Sequence, residues 1–288
     1  MKSPNQYYFR NHSLLPFQTL KLLDFDSVAS IYEVIRIFDG IPLFVEKHIE
    51  RFNNSALLAG LSNRFIINQI TGNIIELAKK NQISNGNVKL VFTFNLQAEL
   101  TKNELFIYFI PHHYPDDSDY KLGVKLISLI AERPNPNAKI HHAGLRNFAN
   151  ELIAKENVFE VLLVNNDGYV SEGSRSNVFF VDNEKVVTPP IEKVLPGITR
   201  ELVIKICKTQ HIDFEEQMID LSTLKKFEAA FITGTSPKVL PISTIDNLSY
   251  NPQNEIVQRI FQYYDTMIFD YLRNFNSKKL IKYLILKY

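Results

Sequence analysis

Gly197, Ile198 and Thr199 stand where the sequence predicts that a helix begins, directly after Pro196. The first backbone N–H groups of a helix have no partner within it, so they favour an anionic group such as a phosphate. Taken alone, the segment is explained equally well as a capped helix without a ligand. It therefore predicts an anion site only in combination with other segments.

Two further segments carry related chemistry. A predicted strand, Ala229 to Thr233, leads into Thr235 and Ser236, whose small hydroxyl side chains form a second donor-rich turn. Glu172 lies in a turn rich in glycine and serine, just before an apolar strand that starts at Asn177. Taken alone, Glu172 is explained equally well as a solvated acid in a turn, and turns that contain Ser or Thr are common. The segments become informative through their order along the chain.

Several common catalytic arrangements are missing from the sequence. It contains no Gly-x-Gly, so Rossmann and Walker loops are absent, and no Gly-x-Ser-x-Gly or His-Glu-x-x-His motif. The single cysteine, Cys207, excludes an intramolecular disulfide and a cysteine-based zinc site. It lies in an apolar run and is predicted to be a packed thiol. Hydrolase and dehydrogenase functions therefore lack support.

The order of the motifs resembles the fold type IV family of pyridoxal-phosphate enzymes: branched-chain aminotransferases, D-amino-acid aminotransferases and aminodeoxychorismate lyases. The resemblance covers most of the chain, from about Tyr32 to Pro241. Its motifs are Tyr32-Glu33-Val34-Ile35-Arg36, Asp39-Gly40, His48-Ile49-Glu50-Arg51-Phe52, Ser55-Ala56, Glu172 to Phe179 and Leu195 to Arg200. A match to all of them in this order would rarely arise by chance.

The resemblance implies that Lys139 holds the cofactor. In the family, this lysine lies just over thirty residues before the motif glutamate, and Glu172 follows Lys139 by 33 residues. Lys125 and Lys155 stand at the wrong distances. Lys139 would form a Schiff base with the cofactor aldehyde and, once freed by an amino substrate, would move the α-proton.

The resemblance also implies roles for other residues around pyridoxal 5'-phosphate. A carboxylate beside the pyridine nitrogen favours the protonated ring, which stabilises a carbanion. An arginine suits the phosphate because it forms bidentate charge-assisted bonds. The cofactor-binding residues are Glu172 at the ring nitrogen, Arg51, Ile198, Thr199, Thr235 and Ser236 at the phosphate, Leu195 on a ring face, and Asn177 and Gly197; the substrate residues are Tyr32 and Arg36.

The segments that contact substrate differ from those of the family. Relatives commonly place an arginine for the substrate carboxylate after the strand Val88–Phe94, whereas this chain continues with Asn95–Leu100. The segment after Lys139 and the segment Asp26–Ser30 also lack a family asparagine and a glycine-containing turn. The substitute cation is left open among Arg36, His112, His113, His142 and Arg146. We therefore expect common amino donors to react slowly.

The length of the chain suits two modest domains or one large domain, and the resemblance implies an α/β (α+β) fold with two domains. Hydrophobic residues make up 45% and charged residues 22%, and the net charge of +1 gives no indication of nucleic-acid binding. We predict a small N-terminal α/β domain at residues 1–113, a linker at 114–120 and a larger, mainly β, cofactor-binding domain with helices at 121–288. The resemblance places the cofactor in the cleft between them.

The leading function is a transaminase that moves an amino group between an amino acid and a 2-oxo acid through pyridoxamine phosphate. One alternative is a lyase of the aminodeoxychorismate type, which would release pyruvate. Another is a non-catalytic homologue, against which the presence of both Lys139 and Glu172 argues. The resemblance implies a homodimer. The sequence shows no membrane-spanning run and no signal-like start, so we predict a cytoplasmic protein.

Overall fold

The computed structural model describes residues 5–22, 25, 28–94, 103–141 and 143–285. The chain divides into two compact units. The first takes in the chain up to His112, the segment Lys139–His141 and the chain from Asp265 onward, and the second takes in the remainder. The sequence instead predicts that Lys139–His141 and the C-terminal segment belong to the domain of residues 121–288.

Within the described residues, the first unit is built on a six-stranded antiparallel sheet with two helices on one face. Its strands and helices are β1 (Tyr7–Arg10), β2 (Ser13–Pro16), β3 (Ser30–Phe38), β4 (Ile41–Pro42), α1 (Val45–Leu58), α2 (Ile67–Asn81), β5 (Gly86–Thr93) and β6 (Glu104–Ile110). The strand order is β2-β1-β6-β5-β3-β4.

The hairpin between β3 and β4 forms where the sequence predicts it. Asp39 and Gly40 have φ angles of 49° and 75°, and two residues with positive φ are what a type I′ turn needs. On α1, the helical spacing of Ile49, Phe52 and Ala56 predicts one apolar face. All three residues are fully buried and pack with the apolar face of β3. These predictions are confirmed, whereas β1 and β2 are not predicted by the sequence.

The second unit contains a longer mixed sheet. Its elements are α3 (Asp117–Leu122), β7 (Val124–Ile130), α4 (Ala143–Glu156), β8 (Glu160–Val164), β9 (Tyr169–Gly173), β10 (Asn177–Asp182), β11 (Lys185–Thr188), α5 (Ile198–Thr209), β12 (Phe214–Glu216), β13 (Ile219–Asp220), β14 (Ala229–Gly234), β15 (Lys238–Ile245) and β16 (Leu248–Ser249). The strand order is β12-β11-β10-β14-β15-β7-β8-β9-β13, and β16 pairs with β15. A long helix, α6 (Glu255–Ile285), follows.

The linker predicted at residues 114–120 and the strand predicted to begin at Lys121 need correction. Residues 117–120 of the linker are helical, because Asp116 and Asp119 form a capping box that starts α3. The next strand consequently begins at Val124, after the chain turns at Gly123, and not at Lys121. Such a short helix shows no periodicity in the sequence, which is why the segment looks irregular.

Candidate active site

The main-chain segment Lys139–His141 is held by three hydrogen bonds within the first unit. The Tyr32 N–H donates to the Lys139 carbonyl (3.0 Å), and the His141 N–H donates to the Ser30 carbonyl (3.0 Å). The Lys139 N–H donates to the hydroxyl of Ser55 (3.1 Å), a fully buried residue of α1. The segment therefore lies along the edge of β3, and Lys139 is fixed between a strand and a helix.

The side chain of Lys139 lies over the ring of Tyr32, with 4.7 Å between Nζ and the ring centroid. A second ammonium group, that of Lys89 on β5, lies 5.2 Å from the same centroid. Lys89 pairs with Val34 across the two strands, so Lys89 and Tyr32 share one face of the sheet, as does Arg36. Sequence reasoning missed Lys89, because its place beside Tyr32 depends on the strand register.

Arg51 lies in a buried cluster that we call the Glu33 cluster (Glu33, His48 and Arg51). Its guanidinium donates from Nε to Oε1 of Glu33 (2.7 Å) and from Nη2 to Oε2 (2.9 Å). Nδ1 of His48 lies 2.7 Å from Oε2 of the same carboxylate. His48 and Arg51 stand three residues apart on one face of α1, and Glu33 points towards them from β3. The predicted contact of Arg51 with a phosphate stays a prediction.

The charges of the Glu33 cluster follow from its burial. Burial raises the pKa of the Glu33 carboxyl, but the charge of Arg51 and the hydrogen bonds from His48 and Arg51 outweigh it and hold that pKa at about 2. Burial lowers the pKa of His48, and Arg51 and Lys139 lower it further, against the opposing effect of Glu33. Near pH 7 the carboxylate is therefore charged and the imidazole neutral. Because a carboxylate only accepts, Nδ1 of His48 carries the proton.

In the second unit, Glu172 is the centre of a comparable group, the Glu172 cluster (Glu172, Arg133, Asn177 and Leu195). Oε1 accepts from Nε of Arg133 (2.7 Å). Oε2 accepts from the Leu195 N–H (3.0 Å) and the Asn177 amide (3.3 Å). Glu172 is 2% exposed and lies on β9, so it is not a solvated turn acid. Sequence reasoning missed Arg133, which reaches Glu172 from an irregular loop.

The start of α5 lies beside this cluster. Gly197 is its N-cap and makes no side-chain capping bond, and a Cβ at this position would collide with Oδ1 of Asn177. Only glycine therefore fits here without a rearrangement. Ile198 and Thr199 form the first turn and are buried, and the Thr199 hydroxyl lies 3.3 Å from that of Tyr264. The predicted helix start is confirmed, whereas the phosphate contacts stay predictions.

The segment with Thr235 and Ser236 forms the loop of a hairpin between β14 and β15. Gly234 pairs with Lys238, so the loop consists of Thr235, Ser236 and Pro237, all half-buried. This confirms that a strand ends at this point in residues with small hydroxyl side chains. Their proposed role at a phosphate is not tested by the fold.

Glu160, which sequence reasoning missed, organises the turn between Glu172 and β10. Its carboxylate accepts from the hydroxyl of Ser174 (2.7 Å), the Arg175 N–H (3.1 Å) and the hydroxyl of Ser176 (3.3 Å). Glu160 is 3% exposed. The serine-rich turn is thus wrapped around a buried acid. A glutamate at the head of the apolar strand β8 was the only signal of this in the sequence.

The substitute cations named from the sequence lie in different places. His112 and His113 are exposed in an irregular segment. Arg146 is half-buried in the first turn of α4, and its Nη1 is buried without a hydrogen-bond partner in the part of the chain that is described. His142, the segment 95–100 and residues 26 and 27 lie outside the described residues. None of these positions shows which group binds a substrate carboxylate.

Two further features of the described chain, a buried cysteine and a polar cavity, involve none of the candidate residues. Cys207 is fully buried, and burial raises the pKa of its thiol to about 12, which confirms a packed thiol. A polar cavity of about 560 Å³ in the second unit is lined by His211, Glu228 and Arg259 among others, and by none of the predicted site residues. Across the described ranges, no helix is both long and apolar enough to cross a bilayer.

Comparison with known families and proteins supports the resemblance. The family described as "Amino-transferase class IV" matches residues 30–245. A branched-chain-amino-acid aminotransferase-like protein 2 of Arabidopsis thaliana is 28% identical over 252 residues, which are 81% of this chain and 44% of that protein. The chain thus spans less than half of that relative. A D-alanine aminotransferase of Bacillus licheniformis is 29% identical over 230 residues, 75% of this chain and 78% of that protein.

The fold is similar to that of solved aminotransferases. A branched-chain amino acid aminotransferase from Thermobaculum terrenum, solved in its pyridoxal-phosphate holo form, superposes with a TM-score of 0.79 at 23% identity. The match covers 96% of this chain and 97% of that one. The predicted α/β architecture of fold type IV is therefore confirmed.

Proposed function

The chain belongs to the class IV aminotransferase family, and on that premise we propose that it is a pyridoxal-phosphate-dependent transaminase with Lys139 as its cofactor lysine. The observation that carries the proposal is the placement of Lys139. Its main chain is fixed by β3 and α1, and its amine lies 4.7 Å from the ring centre of Tyr32. A lysine held in this way has the defined position that a covalent anchor and proton carrier needs.

The chemistry of the other residues fits this cofactor. When bound, pyridoxal phosphate supplies a conjugated ring that accepts electron density from the substrate α-carbon. Glu172 offers a buried carboxylate of fixed orientation for the ring nitrogen. Arg51 and the uncapped N–H groups of Ile198 and Thr199 offer a cation and helix-start donors for the phosphate. Ser236 and Thr235 would add hydroxyl donors.

The amine of Lys139 would carry the proton in the reaction. Once an amino substrate has displaced it, Nζ would take the proton from the substrate α-carbon as a general base and would later give that proton back as a general acid. Tyr32 contacts this amine through its ring face, which confines the positions that Nζ reaches. Glu172 would face the ring nitrogen with its carboxylate.

Substrate recognition would use the sheet face that carries Tyr32. Lys89 lies 5.2 Å from the ring centre of Tyr32, and Arg36 shares the same face. We assign the substrate carboxylate to these two cations, since a carboxylate brought into a partly dry site needs a positive partner. This takes over the role of the arginine that the sequence lacks. The geometry differs from the usual one, so common amino donors should still react slowly.

A donor screen tests the proposal. Protein loaded with pyridoxal phosphate is mixed with leucine, valine, glutamate and both alanine enantiomers, and 2-oxo acid, pyridoxamine phosphate and pyruvate are measured separately. A transaminase yields one pyridoxamine phosphate per oxo acid, and Lys139→Ala abolishes both. Aminodeoxychorismate is added as a further amino substrate, because none of the five donors can lose pyruvate by elimination. Pyruvate released from it without aminated cofactor would indicate the lyase instead. A homodimer and a cytoplasmic location remain predictions, of which sedimentation velocity checks the first.

A further inference from the structure

Glu33 is an ion-paired glutamate in the middle of an otherwise apolar strand face. It stands between Ile31 and Ile35 on the side of β3 that packs against α1, and it is fully buried. A charged group in such a place costs free energy unless it is paired and hydrogen-bonded. Replacing a buried ion pair by apolar residues is often neutral for stability or favourable. A stabilising role alone is therefore a weak explanation for the pair.

The pairing fixes the guanidinium of Arg51 in one plane. Glu33 takes one N–H from Nε and one from Nη2, on the same edge of the group. A guanidinium is a rigid fork of five donors, so holding one edge sets the direction of the donors on the other nitrogen. His48 bonds to Oε2 of Glu33 at 2.7 Å and fixes the carboxylate in turn. Because His48 is neutral, the cluster balances one negative with one positive charge.

We propose that Glu33 and His48 are positioning residues for the cofactor phosphate: Glu33 orients Arg51 towards the phosphate, and His48 holds Glu33 in place. This inference rests on the proposed function, in which Arg51 binds that phosphate. Neither residue touches the cofactor in this account. Their effect should therefore appear in how strongly the protein prefers a phosphorylated ligand, and only through Arg51.

The test compares the dissociation constants of pyridoxal phosphate and of pyridoxal, which lacks the phosphate. Both are titrated into cofactor-free protein, and their ratio measures the phosphate preference. Arg51→Ala should abolish most of the preference. Glu33→Gln keeps the size of the side chain but loses the charge, and it should reduce the preference about tenfold or more. Pyridoxal affinity should stay nearly constant in each case.

A double-mutant comparison shows whether Glu33 acts through Arg51. Adding Glu33→Gln to Arg51→Ala should change the preference no further. His48→Asn, which retains a donor near the place of Nδ1, should keep more of the preference than His48→Leu. This pair of variants also decides the matter if Glu33→Gln does not fold. A purely structural role would lower the melting temperature of the variants without changing the preference.

The outcomes separate the two levels of the account. If Arg51→Ala abolishes the preference while Glu33→Gln and His48→Leu leave it unchanged or increase it, the positioning role is wrong and the phosphate role of Arg51 stands. If the unmodified protein shows no preference for the phosphorylated ligand, or if Arg51→Ala leaves it intact, the assignment of Arg51 fails and the positioning role fails with it.

Discussion

The two units each contain a buried pair of glutamate and arginine, and the two pairs differ in which partner is proposed to act. In the first unit, the carboxylate of Glu33 accepts two hydrogen bonds from Arg51 and one from His48, and all three come from side chains. In the second unit, Glu172 accepts one bond from Arg133, one from an amide and one from the backbone of Leu195. In the proposed function, the carboxylate of Glu33 holds the arginine that binds cofactor, whereas Arg133 holds the carboxylate of Glu172 that binds cofactor.

The same kind of ion pair can therefore be proposed for two different purposes: orienting an arginine or orienting a carboxylate. The sequence motifs contain Glu33, Arg51 and Glu172 but imply roles only for Arg51 and Glu172. The structure shows that Glu33 holds Arg51 and that Arg133 holds Glu172. A substitution of the functional partner should change cofactor chemistry directly. A substitution of its holder should act at a distance, through orientation.

The largest effect is expected from removing the charge of Glu172. Glu172→Gln should retain covalent attachment of the cofactor, which requires only Lys139, but lower the rate of transamination about 10²- to 10³-fold. A neutral amide supports a protonated ring nitrogen poorly, so carbanion formation becomes harder. Single-turnover rates measure the loss of rate, and the absorbance of the bound cofactor shows whether covalent attachment is retained. Full activity with normally bound cofactor would show that Glu172 does not serve the ring nitrogen.

The functional partner of the other pair should affect binding more than rate. Arg51→Ala should weaken pyridoxal phosphate about 10- to 100-fold, because a charge-assisted bidentate contact is lost. Turnover at saturating cofactor should fall less, since the phosphate takes no part in the reaction. Arg51→Lys is the matched control, which keeps the charge but loses the fork. An unchanged dissociation constant in a cofactor titration of Arg51→Ala would contradict the assignment.

The Glu33 cluster also predicts a pH dependence of stability. In the folded protein, the pKa of the Glu33 carboxyl is about 2, below the ordinary 4.5. The stabilisation that this carboxylate contributes is therefore fully present above pH 4.5 and is lost as the pH falls towards about 2. His48, whose pKa is lowered, adds a loss in the same direction below its ordinary pKa of 6.5. The free energy of unfolding of Glu33→Gln should therefore vary less between pH 4.5 and 2. Chemical denaturation across this range checks it, and identical slopes in both proteins would count against the pairing.

The smallest effect is expected from a third arginine–glutamate pair, which is partly exposed. Arg10 on β1 contacts Glu104 on β6 at 2.8 Å, and its side chain is 42% exposed. Because exposed pairs contribute little, Arg10→Gln should change the free energy of unfolding by less than about 1 kcal/mol. Cofactor affinity should stay the same. A loss of cofactor affinity in Arg10→Gln as large as that in Arg51→Ala would mean that burial does not explain the contrast between the pairs.

The sequence predicts several helices, strands and turns well, for physical reasons. The helix α1 and the hairpin at Asp39-Gly40 follow from local patterns of apolar residues and turn chemistry. The loop with Thr235 and the helix start at Gly197 follow in the same way. Local signals of this kind depend only on residues that are close in the sequence, so they can be recognised without the tertiary structure.

The contacts that the sequence misses join residues that are distant along the chain. Glu33 and Arg51 are joined by packing a helix on a strand, and Lys89 reaches Tyr32 through the register of two strands. Arg133 reaches Glu172 from a loop 39 residues away. Such contacts depend on tertiary structure, which no local pattern encodes. The helix α3 was missed for a different reason, since six residues are too few to show a period.

The central claim, that Lys139 anchors the cofactor, is tested most directly by borohydride reduction. Protein loaded with pyridoxal phosphate is reduced and digested, and the labelled peptide is identified by mass spectrometry, with cofactor-free protein as the control. The account predicts a single major adduct on Lys139 that is lost in Lys139→Ala. Lys89 is the informative rival, because its amine lies close to the same tyrosine ring. An adduct mainly on Lys89 or another lysine would contradict the account.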